Sequence, residues 1–583
     1  RHNGSAIQWG KVMTPKPIAT AHLDGIAKQA LETGRNRLLV GGALFAVAFS
    51  AIAFRLADVT VVKPAGEPTI ASAPTNPVFT AGRADIVDRN GVVLATSLNT
   101  ASLYANPGHV LDAREAADRL HKVLPELRPA ELLGKLTSQK SFVWIKRHLN
   151  PRQHYAVHRL GIPGLYFQRE ERRVYPQGRL FSHLLGFAGT DGIGLTGVEK
   201  KFNAALGAGS KPLRLSVDSR LQHILRQELM AATRRFRADG ACGVVMDTTT
   251  GEVLAMVSLP DFDPNAPDRS PDKARFNRAT LGVYEMGSTF KVFTTAMALD
   301  SGTVGIRGGF DASKPIKIAR FSITDFHPKN RWLSVPEIFM YSSNIGTAKM
   351  AMKLGTGGQR EYLGRLGLLR PANIEVPEVG APLVPSPWRE INTVTISYGH
   401  GIAVSPVQTA QAVAAIVNGG ILRQATLLKP LKGETPKGQR VLKTETSRSM
   451  RKLLRLVVTA GTGRKGHAPG YIVGGKTGTA EKTGARGYQE KALVSSFVAA
   501  FPMTAPRYVV FAVVDEPHGN KRTLGYATGG WVAAPVVSRF IRRAGPLLGI
   551  APMDEDSPSV QRALAIDIPT AARGIRGRTL ASF

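Results

Sequence analysis

Between Leu38 and Phe54 the chain runs seventeen residues without a charge, and they are mostly Ala, Val, Leu and Phe. No other segment so narrows what this polypeptide can become, because an apolar stretch of that length needs either a bilayer or a large core around it. It is apolar all round rather than striped, which argues against a core helix with one wet face. Arg55 follows it and can reach back to an interface. Six cations precede it (Arg1, Lys11, Lys16, Lys28, Arg35, Arg37), against Asp24 and Glu32. That asymmetry predicts a cytoplasmic N-terminus and a single-pass anchor over 38–57, with the rest of the chain on the far side. The competing reading is a cleaved signal peptide, since Ala51-Ile52-Ala53 resembles a processing site, but the leading region is long for one.

Beyond the anchor, four prolines within residues 61–80 predict a stiff linker over 58–80. A mixed region of short strand-like runs and polar helices follows over 81–235. From Ala241 the text CGVVMD-TTTG-EVLAMVS reads as a hairpin, and SSFVAAF with YVVFAVVDE reads as a second strand pair. Helical text such as PVQTAQAVAAIVNGG lies between them and ends on glycines. Strands at both ends with helices between predict an α+β domain over 236–548, its sheet closed by distant segments. The acidic and Arg-Gly text over 549–583 reads as a loose tail.

Composition enters through charge. The chain has 583 residues, 76 Lys+Arg and 43 Asp+Glu, a formal net charge of +33. Such an excess suits an anionic partner. The cations are dispersed, with no basic block interleaved with aromatics, so nucleic acid is not indicated. Cys242 is the single cysteine, which excludes an intramolecular disulfide and any cysteine-based metal site.

Neither a G-x-S-x-G elbow nor H-E-x-x-H occurs. Residues 470–477 match the phosphate-loop pattern G-x-x-x-x-G-K-[ST] letter for letter. That loop needs a strand before it and a helix N-terminus after the lysine. Here the strand-like Tyr471-Ile472-Val473 falls inside the loop, and TGTAEKTGARG after it is no helix. The same lysine serves another constellation. S-x-x-K occurs at Ser270/Lys273, Ser288/Lys291 and Ser449/Lys452. Only Ser288 opens an apolar helix, STFKVFTTAMAL, where the i, i+3 spacing places both side chains on one face. Burial there would lower the lysine pKa and make its neutral form a base for the hydroxyl. Alone, the triplet reads equally as a capping serine beside a snorkelling lysine.

Ser342-Ser343-Asn344 follows at the start of another helical segment, with a loop decoy at Ser97/Asn99. Lys476-Thr477-Gly478-Thr479 follows the strand-like YIVGG, with a decoy at Lys482-Thr483-Gly484 in glycine-rich loop text. On a strand, Thr477 and Thr479 face the same way, two hydroxyls ready for a carboxylate. Gly478 between them would let a substrate backbone approach closely.

In this order and context the three motifs resemble those of the penicillin-binding proteins, serine D,D-transpeptidases of the penicillin-recognising superfamily. The resemblance implies an antiparallel sheet with a helical subdomain after a mixed α/β pedestal. It implies that Ser288 is the acylated nucleophile and Lys291 its base. Ser342 and Asn344 would relay protons and hold the substrate amide, and Lys476, Thr477 and Thr479 would form the third motif. The amides of Ser288 and Thr479 would build the oxyanion hole. Residues 82–91, where Ala84 stands in place of a usual glycine, resemble a pedestal box of class B members. So do Arg173-Val174-Tyr175-Pro176 and the stretch from Gly194 to Glu199, read here as scaffold. No text matches a glycosyltransferase domain, so the class is monofunctional. The boxes 284–291, 398–408 and 476–482 are similar to the division-type branch; an elongation-type enzyme, a β-lactamase and a β-lactam sensor are the alternatives.

The resemblance further implies peptidoglycan stem peptides and the lipid-linked precursor as substrate, β-lactams as inhibitors, and no metal or other cofactor. A membrane-embedded glycosyltransferase and other proteins of the divisome would be its partners, in the bacterial inner membrane with the catalytic domain periplasmic. His400 reads as a loop histidine packed near the cleft rather than a catalytic group.

Overall fold

The computed structural model describes residues 25–57 and 82–568, apart from 210, 319–320, 432, 435 and 485–486. Residues 1–24, the expected linker and the last 15 residues of the chain lie outside the described residues. Helix α1 spans Gly25–Ala57, so the helix begins well before the uncharged run. Its stretch Arg35–Phe54 is long and apolar enough to cross a membrane. Leu38, Phe45 and Phe54 are exposed along it.

The second unit begins with the pedestal. Its strands are β1 (Ile86–Val87), β2 (Val93–Ala105), β3 (Val143–Leu149), β4 (Leu165–Val174) and β5 (Leu213–Arg214). They run in the order β3-β2-β1-β5, with β4 also paired to β2. Helices over Ala113–Val123, Pro129–Leu136 and Pro151–His158 close one face around Leu103, Leu120, Leu132 and Ile145. The sequence starts these helices explicitly: Asp112 caps the first, and Asn150 and Gln153 form a reciprocal capping box on the third. At the pedestal's base Glu199 is fully buried, its carboxylate held by Arg83 at 2.6 Å and Arg173 at 2.7 Å.

Helix α2 (Ser219–Arg235) lies inside the expected pedestal range, yet Leu221, Leu225 and Leu229 pack into the core of the following sheet. Gly243 explains the closeness, since a Cβ there would meet Leu225 and Leu229 at 3.1 Å. That sheet comprises β6 (Gly240–Asp247), β7 (Val253–Leu259), β8 (Gly474–Gly484), β9 (Gly487–Phe501) and β10 (Tyr508–Asp515). Its order is β8-β9-β10-β6-β7, antiparallel throughout. Every residue of β6, β7 and β10 is buried, so the text shows unbroken apolar runs instead of alternation.

The alternation exists in space. Val244, Met246, Phe511 and Val513 face one core, and Val245, Val510, Ala512 and Val514 face the other. The second core also holds α2 and α8 (Ala533–Ala544). On the first side lie α3 (Lys291–Asp300), α4 (Val335–Tyr341), α5 (Asn344–Arg365, kinked at Gly355), α6 (Pro406–Val417) and α7 (Thr444–Thr459). All twelve residues of α6 are buried, and Ser405 with Gln408 boxes its start.

Two readings need correction. The tail is ordered as far as it is described: helix α9 (Pro558–Leu564) buries Val560 and Leu564 in the first core. Before it, Glu555 pairs with Arg455 of α7 and with His467. The decoy Lys482 is not in a loop, because β8 runs through it, and its ammonium pairs with Asp515 at 3.1 Å and with Glu516.

Candidate active site

Ser288 sits in a 3-10 turn over Gly287–Phe290 that feeds directly into α3. Such a turn eclipses residues i and i+3, which stacks Ser288 under Lys291 more tightly than an α-helix would. The turn is wedged between two backbones. Gly287 has φ +51, and a Cβ there would lie 2.3 Å from the Thr479 carbonyl; Gly399 has φ +88, and its Cβ would lie 2.0 Å from the Gly287 carbonyl. Both positions therefore require glycine.

Helix α4 ends at Ser342, which adopts a left-handed conformation at φ 60. Ser343 then caps α5, its hydroxyl accepting from Gly346 N–H. Asp325 braces this corner, accepting from the Ser343 hydroxyl at 2.7 Å and from Ile345 N–H at 2.9 Å. The Asn344 side-chain amide donates to the Thr324 carbonyl at 2.9 Å, which fixes its oxygen toward the cleft.

Lys291 and Lys476 are both fully buried. Lys291 Nζ donates to the Ser342 carbonyl at 2.6 Å and to Asn344 Oδ1 at 2.7 Å, and lies 3.0 Å from both Ser288 Oγ and Ser342 Oγ. Lys476 Nζ donates to Ser342 Oγ at 2.9 Å and to the Thr477 carbonyl at 3.2 Å. Ser342 Oγ thus touches both amines. Burial, and then the neighbouring charge of Lys476, push Lys291 well below the ordinary lysine range. Burial brings Lys476 down to about 7.

The third motif departs from its expected geometry at Thr477. Thr477 is nearly buried, and its hydroxyl is hydrogen-bonded to that of Thr462 at 2.8 Å. Thr479 is half-exposed; its Oγ1 accepts from Gly529 N–H at 3.1 Å, which leaves its own O–H to donate. Gly478 is required by packing. A Cβ there would run into Ser496 Oγ, Thr289 Oγ1 and the Met286 carbonyl at 2.3 to 2.5 Å, so the glycine lets β8 close onto the Ser288 turn. Tyr471-Ile472-Val473 precedes the strand proper, which begins at Gly474.

Sequence reading brings together Ser288, Lys291, Ser342, Asn344, Lys476, Thr477, Gly478 and Thr479; hydrogen bonds join the first five into one cluster, Gly478 and Thr479 pack against the Ser288 turn, and the Thr477 hydroxyl pairs with Thr462. The decoys lie elsewhere: Ser97 Oγ donates to the Arg83 carbonyl in the pedestal, and Ser449 and Lys452 ride on α7. His400 is largely buried edge-on to Tyr398, and burial lowers its pKa to about 4, so it is neutral at pH 7. Thr324, Asp325, Thr462 and Gly529 carry no local signal, because each is recruited only by the tertiary fold.

Residues 241–542 match the penicillin binding protein transpeptidase domain, and residues 79–228 match the penicillin-binding protein dimerisation domain. The chain belongs to the class B penicillin-binding proteins. Within this family it is 42% identical over 481 residues to a probable peptidoglycan D,D-transpeptidase FtsI of Caulobacter vibrioides, covering 80% of this chain and 82% of that one. It is 33% identical to a probable peptidoglycan D,D-transpeptidase PenA of Neisseria meningitidis, covering 84% and 88%. Among solved structures, the transpeptidase domain of penicillin-binding protein 3 from Burkholderia pseudomallei is 35% identical with a TM-score of 0.53. That match covers 58% of this chain and 98% of that one.

Proposed function

We propose that the chain is a division-type peptidoglycan D,D-transpeptidase that cross-links stem peptides through an acyl-Ser288 intermediate. One observation carries the assignment. A neutral amine has two N–H groups and one lone pair, and Lys291 gives its N–H groups to two carbonyl oxygens, those of Ser342 and Asn344. The lone pair then faces two hydroxyls, Ser288 Oγ and Ser342 Oγ, each at 3.0 Å, and takes the Ser288 proton as that oxygen attacks.

In acylation, Ser288 Oγ forms a bond to the carbonyl carbon of the penultimate D-alanine while Lys291 takes its proton. The C–N bond to the terminal D-alanine breaks, and the leaving amine takes a proton passed from Lys291 through Ser342 Oγ. An acceptor amine then attacks the ester, Lys291 again takes the proton, and Ser288 recovers its own. Backbone amides of Ser288 and Thr479 hold the oxyanion, at about 3 kcal/mol of barrier per donor lost. The Thr479 hydroxyl and charged Lys476 attract the substrate's terminal carboxylate. The same carboxylate and strained amide in a penicillin make it an inhibitor.

Helix α1 anchors the enzyme with its N-terminus in the cytoplasm and the catalytic domain outside. The partners are a membrane-embedded glycosyltransferase and other divisome proteins. The full chain in detergent, incubated with a fluorescent penicillin beside Ser288→Ala, tests the assignment. A stable label lost in Ser288→Ala is expected. A label shed within seconds makes the protein a β-lactamase, and a label retained in Ser288→Ala removes the nucleophile.

A further inference from the structure

Two segments far apart in sequence meet beside the third motif. The C-terminal end of α2 carries Arg234, Arg235 and Arg237, and the turn after β10 carries Lys521 and Arg522; all five side chains are exposed. His518 N–H donates to the Phe236 carbonyl at 2.7 Å and Asn520 Nδ2 to the Arg235 carbonyl at 3.5 Å, which fastens one segment to the other. Phe236 anchors the seam in the sheet core. The turn is itself constrained: Asn520 caps it by accepting from Arg522 N–H at 3.0 Å, and a Cβ on Gly519 would lie 1.9 Å from the Gly525 carbonyl.

The charges on this platform are uncompensated. Among the described residues none of the five cations has an ion-pair partner. Carboxylates nearby are committed to other cations: Glu228 to Arg539 and Arg543, Asp515 and Glu516 to Lys482. Asp239 alone remains in these two segments. The negative end of the α2 dipole eases the crowding of three arginines there but does not neutralise them. From Arg522 the chain runs seven residues to Gly529, whose N–H donates to Thr479 Oγ1. Platform and catalytic strand are therefore two ends of one short loop.

We propose that this platform is an exosite for the polymeric substrate, binding the carboxylates of stem peptides that neighbour the one being cross-linked. The inference rests on the transpeptidase reading above. Exposed ion pairs are individually weak and screened by salt. A polymer bearing carboxylates at intervals engages several at once and gains by multivalency, whereas a single small ligand does not. A penicillin, which occupies only the cleft, is indifferent to the platform.

The test is pelleting of the full chain with isolated, insoluble peptidoglycan sacculi. The parent is compared with a variant carrying serine at all five positions. A charge-matched control carries serine at Arg114, Lys122, Arg128, Lys140 and Arg152, exposed cations of the pedestal. The platform variant is expected to pellet about tenfold less at low salt, a difference that closes as salt rises. The control is expected to pellet like the parent, and all three to take the fluorescent penicillin at one rate. Equal pelleting of platform variant and parent, or an equal loss in the control, overturns the exosite. So does a loss seen with phosphatidylglycerol vesicles but not with sacculi. Failure of the underlying reading shows separately, as absence of penicillin label from the parent.

Discussion

Two sets of buried cations make opposite uses of burial. In the pedestal, Arg83 and Arg173 converge on a fully buried carboxylate, Glu199, at 2.6 and 2.7 Å. In the catalytic domain, Lys291 and Lys476 are equally buried, but their partners are hydroxyl and carbonyl oxygens, and each is close enough to share Ser342 Oγ. A carboxylate keeps a buried cation charged and inert. Neutral oxygens satisfy its hydrogen bonds without its charge, so the cheapest relief is to lose the proton. The identity of the cation and of its acceptor, rather than burial alone, separates scaffold from catalyst here.

Substitutions on the two sides should then behave oppositely. Lys291→Met is expected to cut penicillin acylation by about 10²–10⁴-fold, the usual share of a general base, measured by stopped-flow with a fluorescent penicillin. It should also raise Tm at pH 7, because it removes an amine that burial penalises. Glu199→Gln is expected to cost about 3–5 kcal/mol of stability by leaving two buried guanidiniums short of charge. Denaturant unfolding measures that loss, and acylation per folded molecule should not change. A Glu199→Gln protein as stable as its parent would erase the distinction.

Lys476→Met sharpens the comparison at smaller scale. Its folded pKa of about 7 lies below the unfolded value of about 10.4. Between those values the unfolded chain binds the extra proton, so stability rises with pH across that window, and below about 7 the full penalty remains. Replacing Lys476 with Met is expected to flatten that rise and to raise Tm at pH 6, by about 2–4 °C per kcal/mol relieved. Thr462→Val is the mildest change. It removes a hydroxyl pair at the edge of the cleft and is expected to cost about 1 kcal/mol, read as a small Tm shift with slightly slower acylation.

How far the sequence reaches can be judged residue by residue. The three motifs were legible because each sits at an element boundary whose local text is unambiguous: a glycine before Ser288, a helix start after Ser343, a strand carrying Lys476. The packing role of Gly478 is not legible locally because its reason lies 189 to 192 residues earlier, in the Thr289 hydroxyl and Met286 carbonyl it packs against. Thr477 was paired with a carboxylate in expectation, but Thr462, fifteen residues upstream, takes its hydroxyl. The C-terminal segment looked loose because acidic, small-residue text gives no period. Its order comes from Glu555 meeting Arg455 and His467, and from two side chains, Val560 and Leu564, finding a core built elsewhere. Burial of the two lysines was likewise invisible locally, since it is the work of several elements closing on one cleft.

The central claim is that Lys291 is neutral where it meets Ser288. The pH dependence of the acylation rate of the full chain tests it most directly. A rate that falls on acidification at a pH well below the ordinary lysine range, as Lys291 gains a proton, and declines above about 7, as Lys476 loses the charge that attracts the carboxylate, is the expected profile. A rate that keeps climbing through pH 10, as an ordinary lysine would dictate, would contradict the account.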